Sequence, residues 1–187
     1  MRRVKAFVLI VLCVLLASLA APAQKKKSGA AKEAAPKVVV EPIDTDKLKD
    51  ILTQQRQHPL LVNFWATFCD PCRDEFPDLV KIDKEYRPQS LEFVTVSLDD
   101  FTDIKTTVPE FLVAMKATMP AYLLNVPDPE PAIDAVDPRW RGDLPATYLY
   151  NEKGEMVYRH IGRVDPAELR KEIEKLVKKG DGQSGRR

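Results

Sequence analysis

The feature that most limits the possible folds is an apolar run followed at once by a pair of cysteines. The run, Leu60–Trp65, reads LLVNFW. It is too apolar to have one face in water, so it predicts a strand that is covered on both sides. Cys69 and Cys72 follow it, and residues 71–86 have the apolar spacing of a helix. A chain of this kind needs helices packed on both faces of a sheet.

The rest of the sequence alternates between strand and helix patterns. Thr45 or Asp46 is the expected cap of a first helix. The segment Asn151–Gly154 has the spacing and the glycine of a hairpin turn. Further strands are expected at 91–98, 122–125, 146–150 and 155–160, and further helices begin near 109 and 165. The order predicts an α/β fold with a central mixed β-sheet flanked by helices.

The length of 187 residues fits one domain with appended terminal segments. We expect the folded domain to cover residues 38–179. Residues 24–37 and 180–187 have no apolar period, so they are expected to be a flexible linker and a flexible tail.

The first 23 residues have the layout of a secretory signal peptide. Arg2, Arg3 and Lys5 precede a 16-residue apolar run at 6–21, and a small-x-small pattern follows at 21–23. The run is shorter than the roughly 20 residues that span a membrane comfortably. Cleavage after residue 23 is the first interpretation, and an uncleaved anchor, with residues 6–21 as a membrane tether, is the alternative. Both predict a periplasmic or otherwise extracytoplasmic protein.

The charge distribution argues against nucleic-acid binding. The chain has 29 basic and 28 acidic side chains, of which ten basic and two acidic ones lie in residues 1–37 and 180–187. Residues 38–179 therefore have a net charge of −7. Because binding to a phosphate backbone depends on clustered Lys and Arg, nucleic acid is not an expected partner.

The cysteine pair is placed for reactivity. Cys13 lies inside the apolar run at 6–21, so the folded domain keeps only Cys69 and Cys72. A structural zinc site needs about four ligands, and the chain offers only His58 and His160 in addition, so no metal is expected. A disulfide that closes so short a loop contributes only about 2 kcal/mol, which makes a purely structural bond implausible.

The position of each cysteine predicts its role. Cys69 stands at the start of a helix, where unpaired N–H groups and the helix dipole stabilise an anion, so we expect it to be the attacking thiolate. Cys72 lies one turn deeper and should be the more buried, resolving cysteine. The carboxylate of Asp70 opposes a second negative charge, so we expect only a modest lowering of the Cys69 pKa and a reducing pair.

Residues 62–77, VNFWATFCDPCRDEFP, together with 144–148, LPATY, resemble the thioredoxin superfamily, and within it the exported TlpA/ResA-like thiol-disulfide oxidoreductases. The resemblance covers about residues 40–179. It implies a thioredoxin-like fold with a central insertion, near 101–140, between the active-site helix and the cis-proline strand. By the same resemblance Pro145 is the cis-proline that faces the dithiol, the backbone of Leu144 pairs with the substrate, and Trp65 and Phe68 flank the cysteines. For Trp65 an ordinary place in the core is the alternative.

A departure from thioredoxin itself singles out Glu75. Asn63 occupies the place where thioredoxin has a buried acid, so that proton acceptor is missing. Glu75 lies three residues after Cys72 on the same helix face. In the interpretation that we favour, Glu75 takes the place of the missing proton acceptor. The ResA-like proteins have a functional glutamate at the corresponding place. A solvated surface charge is the alternative.

The resemblance also implies partners. The protein would reduce disulfides in exported clients, such as cytochrome c precursors or proteins of copper-centre assembly, and would need a membrane electron-donor protein. No bound cofactor is implied. Two other functions compete with this one: a thiol-dependent peroxidase, and a copper-delivery module that uses Cys69 and Cys72 with Met119 or His160, because soft thiolates favour Cu(I).

The first prediction concerns the acidity of Cys69. The helix start lowers the pKa of this thiol from its ordinary value of about 8.5, and Asp70 limits that effect. A titration of the thiolate absorbance of the reduced protein should therefore give a pKa only modestly below 8.5. A value below about 5 would contradict the prediction.

Overall fold

The computed structural model describes residues 38–183, with side chains up to residue 177. The predictions on residues 1–37, including the signal peptide, the tether, the linker and Cys13, lie outside this range, as do residues 184–187. In the described part of the chain no helix combines the length and the apolar character needed to cross a membrane.

Six strands and five α-helices follow one another between residues 38 and 183. The strands are β1 (Val40–Ile43), β2 (Leu60–Trp65), β3 (Glu92–Ser97), β4 (Ala121–Leu124), β5 (Ala146–Tyr150) and β6 (Met156–Ile161). The helices are α1 (Thr45–Thr53), α2 (Asp70–Tyr86), α3 (Thr107–Ala114), α4 (Glu130–Val136) and α5 (Pro166–Gln183). Two short 3-10 helices, Arg87–Gln89 and Phe101–Lys105, follow α2 and β3.

The strands form one mixed sheet in the order β1-β4-β3-β2-β5-β6. The pairs β1–β4, β4–β3 and β3–β2 are parallel, and β2–β5 and β5–β6 are antiparallel. The predicted α/β architecture with a central mixed sheet is therefore confirmed. Strand β2 lies inside the sheet, with partners on both of its edges.

Strand β2 separates two hydrophobic cores. All six of its residues are buried, as its composition predicted. Its alternating side chains place Leu61 and Trp65 in one core, with side chains of α2 and α5. Leu60, Val62 and Phe64 enter the other core, with side chains of α1 and α4. Asn63 lies between Leu61 and Trp65, so the same alternation turns it toward the face that α2 covers.

Strand β1 is missing from the sequence prediction. It has only four residues, two of which are exposed, and it pairs only with β4 at the edge of the sheet. So short an edge strand has no apolar period, and Pro42 within it argues against a strand when the sequence is considered alone.

The start of α1 and the end of α5 also differ from the sequence prediction. Asp44 caps α1, accepting a hydrogen bond of 2.8 Å from the backbone N–H of Lys47, so the expected cap at Thr45 or Asp46 is wrong. Helix α5 continues to Gln183, past the end of the predicted domain at Lys179.

The predicted hairpin joins β5 to β6. Oδ1 of Asn151 accepts hydrogen bonds from the backbone N–H groups of Lys153 and Glu155, both at 3.0 Å. Gly154 has a φ of +78°, and a Cβ there would lie 2.3 Å from the carbonyl oxygen of Thr53. Only glycine fits this turn, because it must tolerate both the left-handed backbone and the close approach of α1.

Candidate active site

The two cysteines stand where β2 ends and α2 begins. Cys69 is the N-cap of α2 and is joined to Cys72 by a disulfide bond. The backbone N–H of Cys72 points at the Sγ of Cys69, with a distance of 3.2 Å between nitrogen and sulfur. Cys69 is 9% exposed and Cys72 is fully buried. The sequence predicted this difference in burial, which leaves Cys69 as the sulfur that a partner can reach.

The helix start favours a negative charge on Cys69. The first N–H groups of a helix have no partner inside it, and the helix dipole is positive at this end. An N–H group aimed at Sγ stabilises a thiolate more than a thiol, because a hydrogen bond to an ionised acceptor is the stronger one. Among the residues described, no N–H group donates a hydrogen bond to the Sγ of Cys72, so this sulfur lacks the same stabilisation.

Glu75 is a buried carboxyl group one turn after Cys72 on α2, with an exposure of 1%. Its Oε1 accepts a hydrogen bond of 2.9 Å from the side-chain amide of Asn63 on β2. Its Oε2 accepts one of 3.0 Å from the backbone N–H of Val164, which precedes α5. The alternative interpretation of Glu75 as a solvated surface charge is therefore wrong.

Burial raises the pKa of Glu75 from 4.5 to about 7. The hydrogen bonds from Val164 and Asn63 and the positive charge of Arg163 lower it, but they are smaller effects than the loss of water around the carboxylate. A carboxyl group with a pKa near neutrality can both accept and release a proton at physiological pH.

Asn63 connects the carboxyl group to the neighbouring strand. Its Nδ2 also donates a hydrogen bond of 3.2 Å to the Oγ1 of Thr147, its register partner on β5. Thr147 and Val164 were not identified from the sequence, since they lie 84 and 89 residues from the side chains that they contact. No local pattern signals contacts that the tertiary fold creates.

Trp65 lies in the core. Its side chain is fully buried and its ring stacks on Phe111 at 4.4 Å between centroids and packs against Phe76 at 5.1 Å. It belongs to the hydrophobic cluster that includes both cysteines. Trp65 therefore packs beneath the cysteine pair inside the core and has no exposed surface for a substrate. Phe68, by contrast, precedes Cys69 and is 75% exposed, which leaves its ring free to contact a partner.

The peptide bond between Leu144 and Pro145 is cis, as the resemblance implied. It stands just before β5, and the carbonyl oxygen of Pro145 accepts a hydrogen bond of 2.8 Å from the N–H of Gly162. The half-buried side chain of Leu144 packs against the core cluster that contains both cysteines.

The copper-delivery alternative needs Met119 or His160 as a further ligand beside the two cysteines. Met119 is buried in the core cluster of the cysteines. His160 lies on the edge strand β6, where its Nε2 is 3.1 Å from the carbonyl oxygen of Arg163 and its ring stacks on Tyr158. Between residues 38 and 183 no group of three or more His, Cys, Asp or Glu side chains is arranged to hold a metal ion.

Comparison with known proteins assigns the chain to a family. The profile of the AhpC/TSA family matches residues 31–159, more than half of the chain. The chain belongs to the AhpC/TSA family. The chain is 28% identical over 132 residues to the thiol-disulfide oxidoreductase ResA of Halalkalibacterium halodurans, and the match covers 71% of this chain and 69% of that protein. It is 31% identical over 127 residues to ResA of Bacillus subtilis, covering 66% and 63% respectively.

Solved structures show the same fold. A thiol:disulfide interchange protein of the thioredoxin family from Chlorobium tepidum superposes with a TM-score of 0.54 at 20% identity, covering 71% of this chain and 84% of that one. The thioredoxin domain of a thiol-disulfide oxidoreductase from Bacteroides vulgatus also gives 0.54, at 23% identity, covering 65% and 81%. The thioredoxin-like fold is confirmed. The relatives named ResA and the joined cysteine pair confirm that this AhpC/TSA-family protein is a thiol–disulfide oxidoreductase.

The raised pKa of Glu75 predicts how stability depends on pH. In the unfolded chain Glu75 ionises near 4.5, whereas in the folded protein it ionises near 7. Its contribution to the free energy of unfolding is therefore complete below about pH 4.5 and is lost as the pH rises through about 7, by on the order of 2 to 3 kcal/mol. Glu75→Gln has no proton to lose, so this fall should be absent.

Denaturant unfolding of the oxidised protein and of Glu75→Gln, at about pH 4.5 and about pH 8, measures the effect. The variant should gain stability relative to the parent between the two conditions, because every other titrating group is common to both proteins. A stability difference that is the same at both pH values would show that Glu75 does not titrate as described.

Proposed function

We propose that this protein reduces disulfide bonds in partner proteins outside the cytoplasm. The observation that supports this most strongly is the arrangement on α2, in which an accessible Cys69 at the helix start is followed by a buried Cys72 and a buried carboxyl group, Glu75. The three groups provide an attacking sulfur, a resolving sulfur and a base.

The first step forms a bond between the two proteins. The thiolate of Cys69 attacks one sulfur of the client disulfide, whose S–S bond breaks as a mixed disulfide forms. The other client sulfur leaves as a thiolate and takes up a proton from water. The N–H of Cys72 stabilises the charge on Cys69 before the attack.

The second step releases the client. Glu75 accepts the proton of the Cys72 thiol, and the resulting thiolate attacks the Sγ of Cys69. The mixed disulfide breaks, the second client thiolate leaves and is protonated, and Cys69 and Cys72 become joined. The structure holds this joined state. A pKa near 7 suits Glu75 to this proton transfer, because the base is ionised when it must accept and protonated afterwards.

The groups around Cys69 support a polypeptide as the substrate. Phe68 offers an exposed aromatic ring beside the attacking sulfur. The cis bond before Pro145 stands at the start of β5, where the backbone of Leu144 would pair with the client chain. Cytochrome c precursors and proteins of copper-centre assembly are the clients that the resemblance implies.

Two features support reduction, rather than oxidation, of client disulfides outside the cytoplasm. Asp70, directly after Cys69, opposes a stable thiolate and so favours a reducing pair. The basic and apolar segment at residues 1–23 supports export, with either cleavage or anchoring through residues 6–21. Each turnover leaves the pair oxidised, so a dithiol of a membrane electron-donor protein would return two electrons and two protons.

A trapping experiment tests the proposal. Cys72→Ser can form the mixed disulfide with Cys69 but cannot resolve it. Expressed in cells, it should accumulate disulfide-linked complexes that thiol reagents dissolve, and the captured proteins should be exported ones with cysteine pairs. The purified parent, once reduced, should reduce insulin disulfides in the absence of metal.

The matched control is the double variant Cys69→Ser/Cys72→Ser, which should trap nothing and leave insulin oxidised. Reduction of peroxide without reduction of insulin would overturn the proposal in favour of a peroxidase. Stoichiometric Cu(I) binding by the reduced protein, with no insulin reduction, would overturn it in favour of copper delivery.

The role of Glu75 has its own test. Because Glu75→Gln removes the base but keeps the shape of the side chain, release of the client from the mixed disulfide should slow by at least about tenfold. Rapid-mixing measurements with a small disulfide substrate across the neutral pH range separate this release from the first attack. Asp74→Asn is the matched control, since it removes an exposed acid next to Glu75 on the same helix. Unchanged cysteine titration and an unchanged exchange rate in Glu75→Gln would defeat the assignment.

A further inference from the structure

The loop between β2 and α2 is held by a carboxylate from the segment that follows a different strand. We propose that Asp99, two residues after the end of β3, is a positioning residue for the Cys69–Cys72 dithiol. The inference rests on the proposed exchange reaction, since it concerns how that reaction's attacking sulfur is placed.

Asp99 binds Thr67 through three hydrogen bonds. The backbone N–H of Thr67 donates to both carboxylate oxygens of Asp99, at 3.1 Å to Oδ1 and 3.0 Å to Oδ2. The hydroxyl group of Thr67 donates to Oδ1 at 2.5 Å. Thr67 stands two residues before Cys69, so these bonds fix the segment of chain from which the attacking sulfur projects.

Asp99 is itself fixed in place. It is 5% exposed. The hydroxyl group of the fully buried Ser97 donates a hydrogen bond of 2.6 Å to Oδ2, and the N–H of Asp99 donates one of 3.0 Å back to that hydroxyl. One residue earlier, the N–H of Leu98 donates a hydrogen bond of 2.8 Å to the carbonyl oxygen of Trp65. The carboxylate is thus held in place by hydrogen bonds to the last residue of β3 and by the backbone contact between Leu98 and Trp65.

The loop is held on its other side by α2. The guanidinium group of Arg73 donates a hydrogen bond of 2.9 Å to the carbonyl oxygen of Thr67 and lies over the ring of Phe111. The N–H of Cys69 donates to the carbonyl oxygen of Ala66 at 3.2 Å, which closes the turn. The N–H group, the hydroxyl group and the carbonyl oxygen of Thr67 therefore all take part in hydrogen bonds.

This arrangement matters for exchange because the attacking sulfur must lie in line with the bond that it breaks. Small displacements of a reacting group lower the rate strongly. The contacts described here belong to the joined state of Cys69 and Cys72. On this proposal the contacts loosen in the free dithiol, so a variant that loses them destabilises the disulfide relative to the dithiol. It also destabilises the transition state of attack, in which the sulfur of Cys69 is partly bonded to a second sulfur, as it is in the joined state. An amide in place of the Asp99 carboxylate would also present an N–H group to the N–H of Thr67, where only an acceptor fits.

The test uses substitutions that differ in one group. Thr67→Val removes the hydroxyl donor and keeps the size of the side chain, and Thr67→Ser keeps the hydroxyl. Asp99→Asn removes the charge and one acceptor. Asp100→Asn is the matched control, because Asp100 is the neighbouring acid but is exposed, and among the described residues its carboxylate bonds only to Thr102.

The readout is the equilibrium of each protein's own cysteine pair with a glutathione redox buffer, together with the rate at which reduced Cys69 attacks a small disulfide. In Thr67→Val and Asp99→Asn the equilibrium should shift toward the dithiol by roughly fivefold or more, the value of one hydrogen bond. The rate of attack should fall in both. Thr67→Ser and Asp100→Asn should behave like the parent.

Lower melting temperatures in Thr67→Val and Asp99→Asn with an unchanged glutathione equilibrium and an unchanged rate would overturn the proposal, since Asp99 would then act only on stability. If Asp99→Asn does not fold, the pair Thr67→Val and Thr67→Ser decides alone. The equilibrium requires no client, so it is measured even if the parent fails to reduce insulin, which would refute the proposed function.

Discussion

Strand β2 has hydrogen-bonded partners on both edges and a hydrophobic core on each face, and the active site depends on this constraint. A shift of one residue along β3 and β5 would move Leu61 and Trp65 into the wrong core. The register of β2 is therefore strongly determined. The strand places Asn63 under α2, and the loop to Cys69 starts at its end, so the reactive sulfur follows a strand that is buried and paired on both edges.

Two buried carboxyl groups lie near this strand, and their surroundings suit them to different tasks. Glu75 accepts one hydrogen bond on each oxygen, from Asn63 and from Val164, and burial raises its pKa to about 7. Asp99 accepts from the backbone N–H and the hydroxyl of Thr67 and from the hydroxyl of Ser97. The first arrangement suits proton exchange, and the second suits an anchor.

The sequence predicted the parts of the site that depend on neighbouring residues. A strand that is buried on both faces, a helix start at a cysteine and a more buried second cysteine all follow from local composition and spacing. The cis bond before Pro145 came from the resemblance. Strand β1 escaped prediction because four edge residues show no period, and the place of Trp65 stayed open because an aromatic ring next to a reactive loop fits a core and a surface equally well.

What the sequence determined by itself is the chemistry: two cysteines three positions apart at a helix start, and an acid one turn later on the same helix. Only the tertiary structure decided the acidity of that carboxyl group, because its pKa depends on burial and on hydrogen bonds from β2 and from the segment before α5. The same holds for Asp99, which lies 32 residues from Thr67 in the chain. Periodicity reports which face of an element is apolar, whereas contacts between distant polar side chains exist only after the sheet has assembled.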